Sequence, residues 1–195
     1  MSAQVAILAG GQSRRMGTDK SFVLLNGKPL LQHVIERVTE LNLPVMLIAN
    51  ETEKYSGFGL PIISDVIANA GSLGGVYTAV QHGDAERTLC VACDMPFLNP
   101  ALLRYLLDQT SDVDAVVPMV DGTAHALHAV YGQNCLSVMR SQIFRGDLAI
   151  RRVFAQLDTR FVGEEVLRRL DPNLQSLVNV NTPHELGLHQ HEHSA

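Results

Sequence analysis

Short apolar runs alternate with stretches of helical period along almost the whole chain. Gln4–Leu8, Val45–Ala49, Pro61–Ser64 and Thr88–Ala92 read as buried strands. Between them, Leu30, Leu31, Val34, Ile35, Val38 and Leu41 recur at helical spacing behind Pro29, which opens the helix. Leu73–His82 forms a second helix, and Asn99 and Pro100 cap a third carrying Leu102, Leu103, Leu106 and Leu107. Phe22–Leu25 is extended and ends at the turn Asn26-Gly27. Further on, Ala115–Met119 and His125–Tyr131 are strands around Asp121-Gly122. Asn134–Phe144 and Leu148–Gln156 are helical, Arg160–Val162 and Leu177–Val180 are late strands, and Thr182–His189 is a last helix. Strand–helix alternation of this kind makes an α/β fold, with a parallel or mixed sheet covered by helices on both faces.

In such sheets ligands bind beyond the carboxyl ends of the strands. The polar motifs fall at those ends: Ala9–Lys20 after the first strand, Asn50 after the third, Asp65 after the fourth and Asp94 after the fifth. The first is the most informative. Two glycines, Gly10 and Gly11, let the backbone turn and bring its N–H groups to a ligand, and Arg14, Arg15 and Lys20 follow. A glycine-rich loop leaving a buried strand with fixed cations behind it suits phosphate. It is neither a P-loop, because Gly17 is followed by Thr18-Asp19, nor a dinucleotide fingerprint, because Gly10 and Gly11 are adjacent.

Cys93-Asp94-Met95-Pro96 places a carboxylate where a strand ends, opposite that loop, a suitable oxygen ligand for a Mg²⁺ shared with nucleotide phosphates. Cys90 and Cys93 have zinc or redox spacing, but three residues apart on a strand their sulfurs point to opposite faces, so they are expected to pack in the core. Asn179 and Asn181 alternate with valines and share one strand face, towards a second substrate or an adjoining loop. Thr182, Pro183 and Glu185 behind them form a helix-capping set. His125 is either a half-buried structural histidine or a ligand contact. The net charge of −5 opposes general nucleic-acid binding, so an anionic ligand must be held by local cations. Met1–Gln4 lacks a basic start, the apolar run after it breaks at Gly10, and no stretch is long enough to span a membrane. A cytoplasmic protein with no membrane partner is therefore expected.

Leu8-Ala9-Gly10-Gly11-Gln12-Ser13-Arg14-Arg15-Met16-Gly17-Thr18-Asp19-Lys20 resembles the signature of the nucleotidyltransferases that activate sugars, isoprenoid precursors and pterins. Its Gly-Gly form is similar to that of the molybdenum cofactor guanylyltransferase family. Three more segments match in family order: Asp65 to Gly75, with Ser72 in place of the usual proline and expected to cap the next helix; Cys93 to Pro96; and Asn179 to Leu186. His125–Tyr131 is similar to a further family segment, with Ala126 where proline is usual.

The resemblance implies a three-layer α/β/α Rossmann-like nucleotidyltransferase domain over residues 1–188 with a mostly parallel mixed sheet. Its N-terminal half would bind nucleotide and its C-terminal half pterin, with 189–195 a flexible tail. It implies GMP transfer from GTP to molybdenum-loaded molybdopterin. Arg15, Lys20 and Asp94 would be catalytic, with Mg²⁺ on Asp94. Leu8, Ala9, Gly10, Gly11, Lys20, Asn50, Asp65 and Asp94 would hold the nucleotide, backbone N–H groups of Ala9 to Gly11 among the contacts. His125, Asn179 and Asn181 would face the pterin. Transient contact with other molybdenum cofactor biosynthesis proteins or target molybdoenzymes is expected as well. The alternatives are a CTP-dependent molybdopterin cytidylyltransferase, whose loop usually reads Ala-Ala-Gly, a sugar-phosphate nucleotidyltransferase, and a non-catalytic nucleotide-binding protein.

Overall fold

The computed structural model describes residues 2–9 and 19–180. Its strands are β1 (Ala3–Leu8), β2 (Leu24–Leu25), β3 (Lys28–Pro29), β4 (Val45–Ile48), β5 (Ile62–Ile63), β6 (Arg87–Ala92), β7 (Ala115–Val120), β8 (Thr123–Ala124), β9 (His128–Gly132) and β10 (Thr159–Gly163). Its α-helices are α1 (Leu30–Thr39), α2 (Thr52–Tyr55), α3 (Gly71–His82), α4 (Pro100–Asp108), α5 (Cys135–Phe144) and α6 (Glu164–Leu170).

The main sheet runs β10-β7-β9-β6-β1-β4-β5, with β8 attached to β7. β1 pairs in parallel with β4 and β6, β4 with β5, and β10 with β7. β9 runs antiparallel to both its neighbours. The alternation predicted from β1 explains the layers. Val5 and Ile7 face a core shared with α1, α4 and α6, whereas Ala6 and Leu8 face one shared with α3 and α5. From β1 the chain first builds outward through β4 and β5, then returns past β1 to lay down β6 on its other side. Strand order therefore reverses at β1 and β6, and the crevice beyond their carboxyl ends is where such a sheet offers a binding site.

Several local expectations are corrected. Lys20–Phe22 is a 3₁₀ turn capped by the Asp19 side chain, and only Leu24–Leu25 is extended. It pairs with Lys28–Pro29 across Asn26-Gly27, both at positive φ as a tight hairpin turn requires. Pro29 thus ends β3, and α1 starts at Leu30. Ser72 caps nothing: Gly71, at φ +58°, already opens α3, so Ser72 lies inside its first turn. Strand β9 begins at His128, leaving His125 in the preceding turn, where its N–H donates to the Pro118 carbonyl at 2.9 Å. Ile150–Gln156 is 3₁₀ rather than α-helical. Leu177–Val180 joins no sheet. It leaves a 3₁₀ turn at Gln175–Leu177, and the Val180 N–H donates to the carbonyl of Asp94, just beyond β6, at 2.8 Å.

Cys90 and Cys93 diverge as their spacing predicts, one into each core layer, and both are free. Burial pushes the Cys93 thiol up to about 12, with the Asp94 charge adding to it, so it is held as an inert thiol. No helix among the described residues is long and apolar enough to cross a membrane.

Candidate active site

Lys20 and Asp94, 74 residues apart, meet at the reversal crevice. The Lys20 Nζ lies 3.3 Å from Asp94 Oδ2, with the two side chains 23% and 13% exposed. The lysine arrives from the segment that follows β1, and the aspartate stands two residues beyond β6. The other carboxylate oxygen, Oδ1, accepts a 2.7 Å hydrogen bond from Asn179 Nδ2. Asn179, expected at the pterin or an adjoining loop, therefore bonds to the strand-end aspartate. A carboxylate offers about four acceptor positions, so Asp94 retains capacity for a further ligand.

The segment bearing Asn179 is anchored well behind the site. Asp171, itself buried, accepts the Ser176 N–H at 2.7 Å. The Ser176 hydroxyl accepts the Asn99 N–H at 3.0 Å and lies 3.4 Å from His128 Nε2. Asn99 Nδ2 in turn donates to the Leu170 carbonyl at 2.9 Å. His128 is fully buried, with Nδ1 unpartnered among the described residues. Burial, helped by nearby His125, depresses its pKa to about 3. The folded state therefore refuses a proton that the unfolded chain accepts near pH 6.5. Stability is fully present above about pH 6.5 and falls as pH drops from there towards 3. We expect His128→Gln to flatten that acid slope. Urea unfolding at stepped pH checks it, and an unchanged slope would clear His128 of the effect.

On the other side of the crevice, Asn50 follows β4 and Asp65 follows β5. They pair in both directions: Asn50 Nδ2 donates to Asp65 Oδ2 at 2.9 Å, and the Asp65 N–H donates to Asn50 Oδ1 at 2.9 Å. Asp65 Oδ1 is buried without a partner among the described residues. It faces the start of α3, where a Cβ on Gly75 would lie 3.8 Å from it and 2.9 Å from Leu8 Cδ2. Gly74 and Gly75 admit close packing of the protein on itself: a Cβ on Gly74 would sit 2.5 Å from the Ala70 Cβ.

Asp19, next to Lys20, is held by Tyr55, Lys54 and Ser21. Its Oδ2 accepts from Tyr55 Oη at 2.6 Å and lies 2.6 Å from Lys54 Nζ, and its Oδ1 accepts from the Ser21 N–H at 3.0 Å. Burial raises its pKa, but the bonds from Lys54, Tyr55 and Ser21 outweigh that and hold it below the usual carboxylate range. Neither Lys54 nor Tyr55 is visible as a site residue in the sequence, because α2 is a four-residue helix with no periodic signal.

One expectation at the loop is overturned. The Ala9 N–H is spent on the Ile48 carbonyl at 2.9 Å, extending the ladder between β1 and β4, and so is not offered to a ligand. Leu8 likewise closes the ladder, its carbonyl accepting the Cys93 N–H at 3.1 Å. His125 is half-buried, and burial with the Arg151 charge nearby keeps its pKa below the ordinary histidine value. Gly10, Gly11, Arg15 and Asn181, together with the capping set at Thr182, Pro183 and Glu185, lie outside the described residues.

A lysine, a strand-end carboxylate and an amide thus converge where β1 and β6 end, with a second polar pair at the ends of β4 and β5. The arrangement suits an anionic ligand with a polar base. Residues 5–161 match the MobA-like NTP transferase domain. The molybdenum cofactor guanylyltransferase of Desulfosudis oleivorans is 34% identical, over 92% of this chain and 90% of its own length. The probable molybdenum cofactor guanylyltransferase of Natranaerobius thermophilus is 31% identical, over 95% and 93%. Among solved structures, molybdopterin-guanine dinucleotide biosynthesis protein A from Archaeoglobus fulgidus superposes with a TM-score of 0.86 at 29% identity, covering 97% of both chains.

Proposed function

Because the chain belongs to the MobA-like NTP transferase family, we propose that it is a molybdenum cofactor guanylyltransferase, joining GMP from GTP to the terminal phosphate of molybdenum-loaded molybdopterin. The observation that carries this reading is the meeting of Lys20, Asp94 and Asn179 at the strand-order reversal. A phosphate oxygen of the pterin forms a bond to the α-phosphorus of GTP, and the bond from that phosphorus to the β-phosphate oxygen breaks. Pyrophosphate leaves, and the product is the guanine dinucleotide form of the cofactor.

The attacking group is already an anion, so no general base is required. What remains is alignment and neutralisation of charge. Lys20 faces the phosphates and offsets charge building towards pyrophosphate, with Arg15 as its companion from the glycine-rich loop. Gly10 and Gly11 are assigned to nucleotide binding through their backbone N–H groups. Asn50 and Asp65 take the base side, and His125 and Asn181 the pterin side.

Asp94 is the residue that would hold Mg²⁺. The donor set fits: a single carboxylate with acceptor capacity to spare, and no cluster of three or more His, Cys, Asp or Glu among the described residues. That suits an ion bound through one or two carboxylates, substrate phosphates and water. When bound, Mg²⁺ supplies positive charge at the phosphate oxygens. We place the reaction in the cytoplasm, in keeping with three free cysteines. Its further partners are proteins that deliver the pterin or receive the cofactor.

Incubation with each of the four NTPs, Mg²⁺ and loaded molybdopterin tests the reading. Turnover with GTP and stoichiometric pyrophosphate is expected, and binding without turnover would favour a nucleotide-binding protein. Arg15→Ala is expected to cut kcat/KM for GTP by about tenfold or more, the loss of one charge-assisted bond. Unchanged kinetics would remove Arg15 from the site.

A further inference from the structure

Asp19 stands immediately before Lys20, and its carboxylate is held far more firmly than its local role requires. Capping the 3₁₀ turn at Lys20–Phe22 uses one bond, from the Ser21 N–H. Two further donors come from α2, about 35 residues along the chain: Tyr55 Oη and Lys54 Nζ, both 2.6 Å from Oδ2. Tyr55 is 2% exposed, and its hydroxyl also lies 3.4 Å from Ser21 Oγ. Around these bonds the Phe22 ring lies 5.4 Å from the Tyr55 ring and 5.8 Å from that of Phe58. The Lys54 ammonium sits 5.4 Å from the Phe22 ring and 3.6 Å from Glu51 Oε2. On the opposite flank Ser21 Oγ donates to Cys93 Sγ at 3.3 Å, one residue before Asp94. The Asp19–Phe22 segment is thus tied to α2 on one side and to the end of β6 on the other. Lys20 lies between the two ties, with its ammonium on Asp94.

We propose that Lys54 and Tyr55 are positioning residues: by clamping the Asp19 carboxylate they fix the backbone that carries Lys20 to Asp94 and the nucleotide phosphates. The proposal rests on the guanylyl-transfer reading only for what Lys20 does once it is there. A long, flexible lysine side chain reaches one point reliably only if its Cα is fixed, and small misplacements at a reacting centre cost large factors in rate. Tyr55 and Lys54 touch no reacting atom in this scheme; they act through Asp19 and Lys20.

Two readouts test it, on Tyr55→Phe and on the Tyr55→Phe/Lys54→Met double variant. Tyr55→Phe keeps the ring against Phe22 and Phe58, so the thermal midpoint is expected to stay near wild type. The first readout is labelling of Lys20 by an amine-acylating ester, quantified by peptide mass spectrometry. It is expected to rise several-fold in the double variant, and unchanged labelling overturns the clamp whatever the substrate. The second is turnover. The expected result for Tyr55→Phe is a fall in kcat of about tenfold with a much smaller change in KM for GTP. In a Lys20→Ala background, Tyr55→Phe is expected to cost nothing further, because residues acting through one another are not additive. A full additional loss there overturns the proposal, as does an unchanged kcat. Failure of the wild type to turn over GTP would count against the guanylyl-transfer reading, while the labelling would still decide the clamp.

Discussion

Asp94→Asn is expected to leave a normally folded protein whose turnover falls at least about a hundredfold, the loss typical of one preorganised electrostatic element. The substitution keeps the shape of the side chain. The amide oxygen can still accept from Asn179 Nδ2, which now donates to Oδ1 at 2.7 Å. The backbone carbonyl that receives the Val180 N–H is untouched. What disappears is the charge that faces Lys20 Nζ at 3.3 Å and would hold Mg²⁺. A neutral amide leaves the lysine without its counter-ion and is a poor ligand for a hard cation. The measurement is kcat against Mg²⁺ concentration, with circular dichroism to confirm folding. If Mg²⁺ is held there, raising its concentration should recover part of the loss. Near-normal turnover at ordinary Mg²⁺ would remove Asp94 from the chemistry.

How much of this was legible in the sequence depends on the range of the interactions. Period-2 and period-3.6 patterns, read locally, found β1, α1, α3, β6 and α4 within a residue or two. They also sorted Cys90 and Cys93 onto opposite faces, because alternation along a strand needs no knowledge of its neighbours. Strand ends then pointed to Asn50, Asp65 and Asp94. The readings that failed involve competition for hydrogen-bonding groups. The Ala9 N–H reads as available from a glycine-rich loop, but β1 and β4 end in register at Leu8 and Ile48, and the Ile48 carbonyl takes it as the next rung of the parallel ladder. Asn179 and Asn181 alternate with valines as a strand would, but no ladder receives Leu177–Val180, and Asn179 is drawn to Asp94 instead. α2 and α6 are too short to show a period, α6 burying only Leu167. The bonds of Lys54 and Tyr55 to Asp19 link positions some 35 residues apart, and residue type alone gives no sign of them.

The chain is expected to prefer GTP over CTP by at least about a thousandfold in kcat/KM, because sites built on specific hydrogen bonds reject a base that leaves them unmade. Guanine presents two donors side by side, N1–H and N2–H, whereas the corresponding edge of cytosine presents one donor beside an acceptor. On the proposed reading, Asp65 is the matching acceptor on the base side of the crevice. Asp65 is held by Asn50 through its N–H and Oδ2, which fixes the carboxylate at the end of β5. Its Oδ1 is buried and unpaired among the described residues, a costly state that a donor from a bound ligand relieves. Asp65→Asn tests this with little disturbance. Asparagine can still accept from Asn50 Nδ2 through its carbonyl, and its own N–H still reaches Asn50 Oδ1. The second acceptor, however, becomes an NH₂ donor that opposes guanine and tolerates cytosine. The GTP-to-CTP ratio, measured by competitive turnover, is therefore expected to fall at least about tenfold in the variant, which is the scale of one mismatched hydrogen bond. A wild type that prefers CTP would sink the guanylyl reading and promote the cytidylyl one. An unchanged ratio in Asp65→Asn, with the wild-type preference for GTP intact, would move guanine recognition away from Asp65 to other groups.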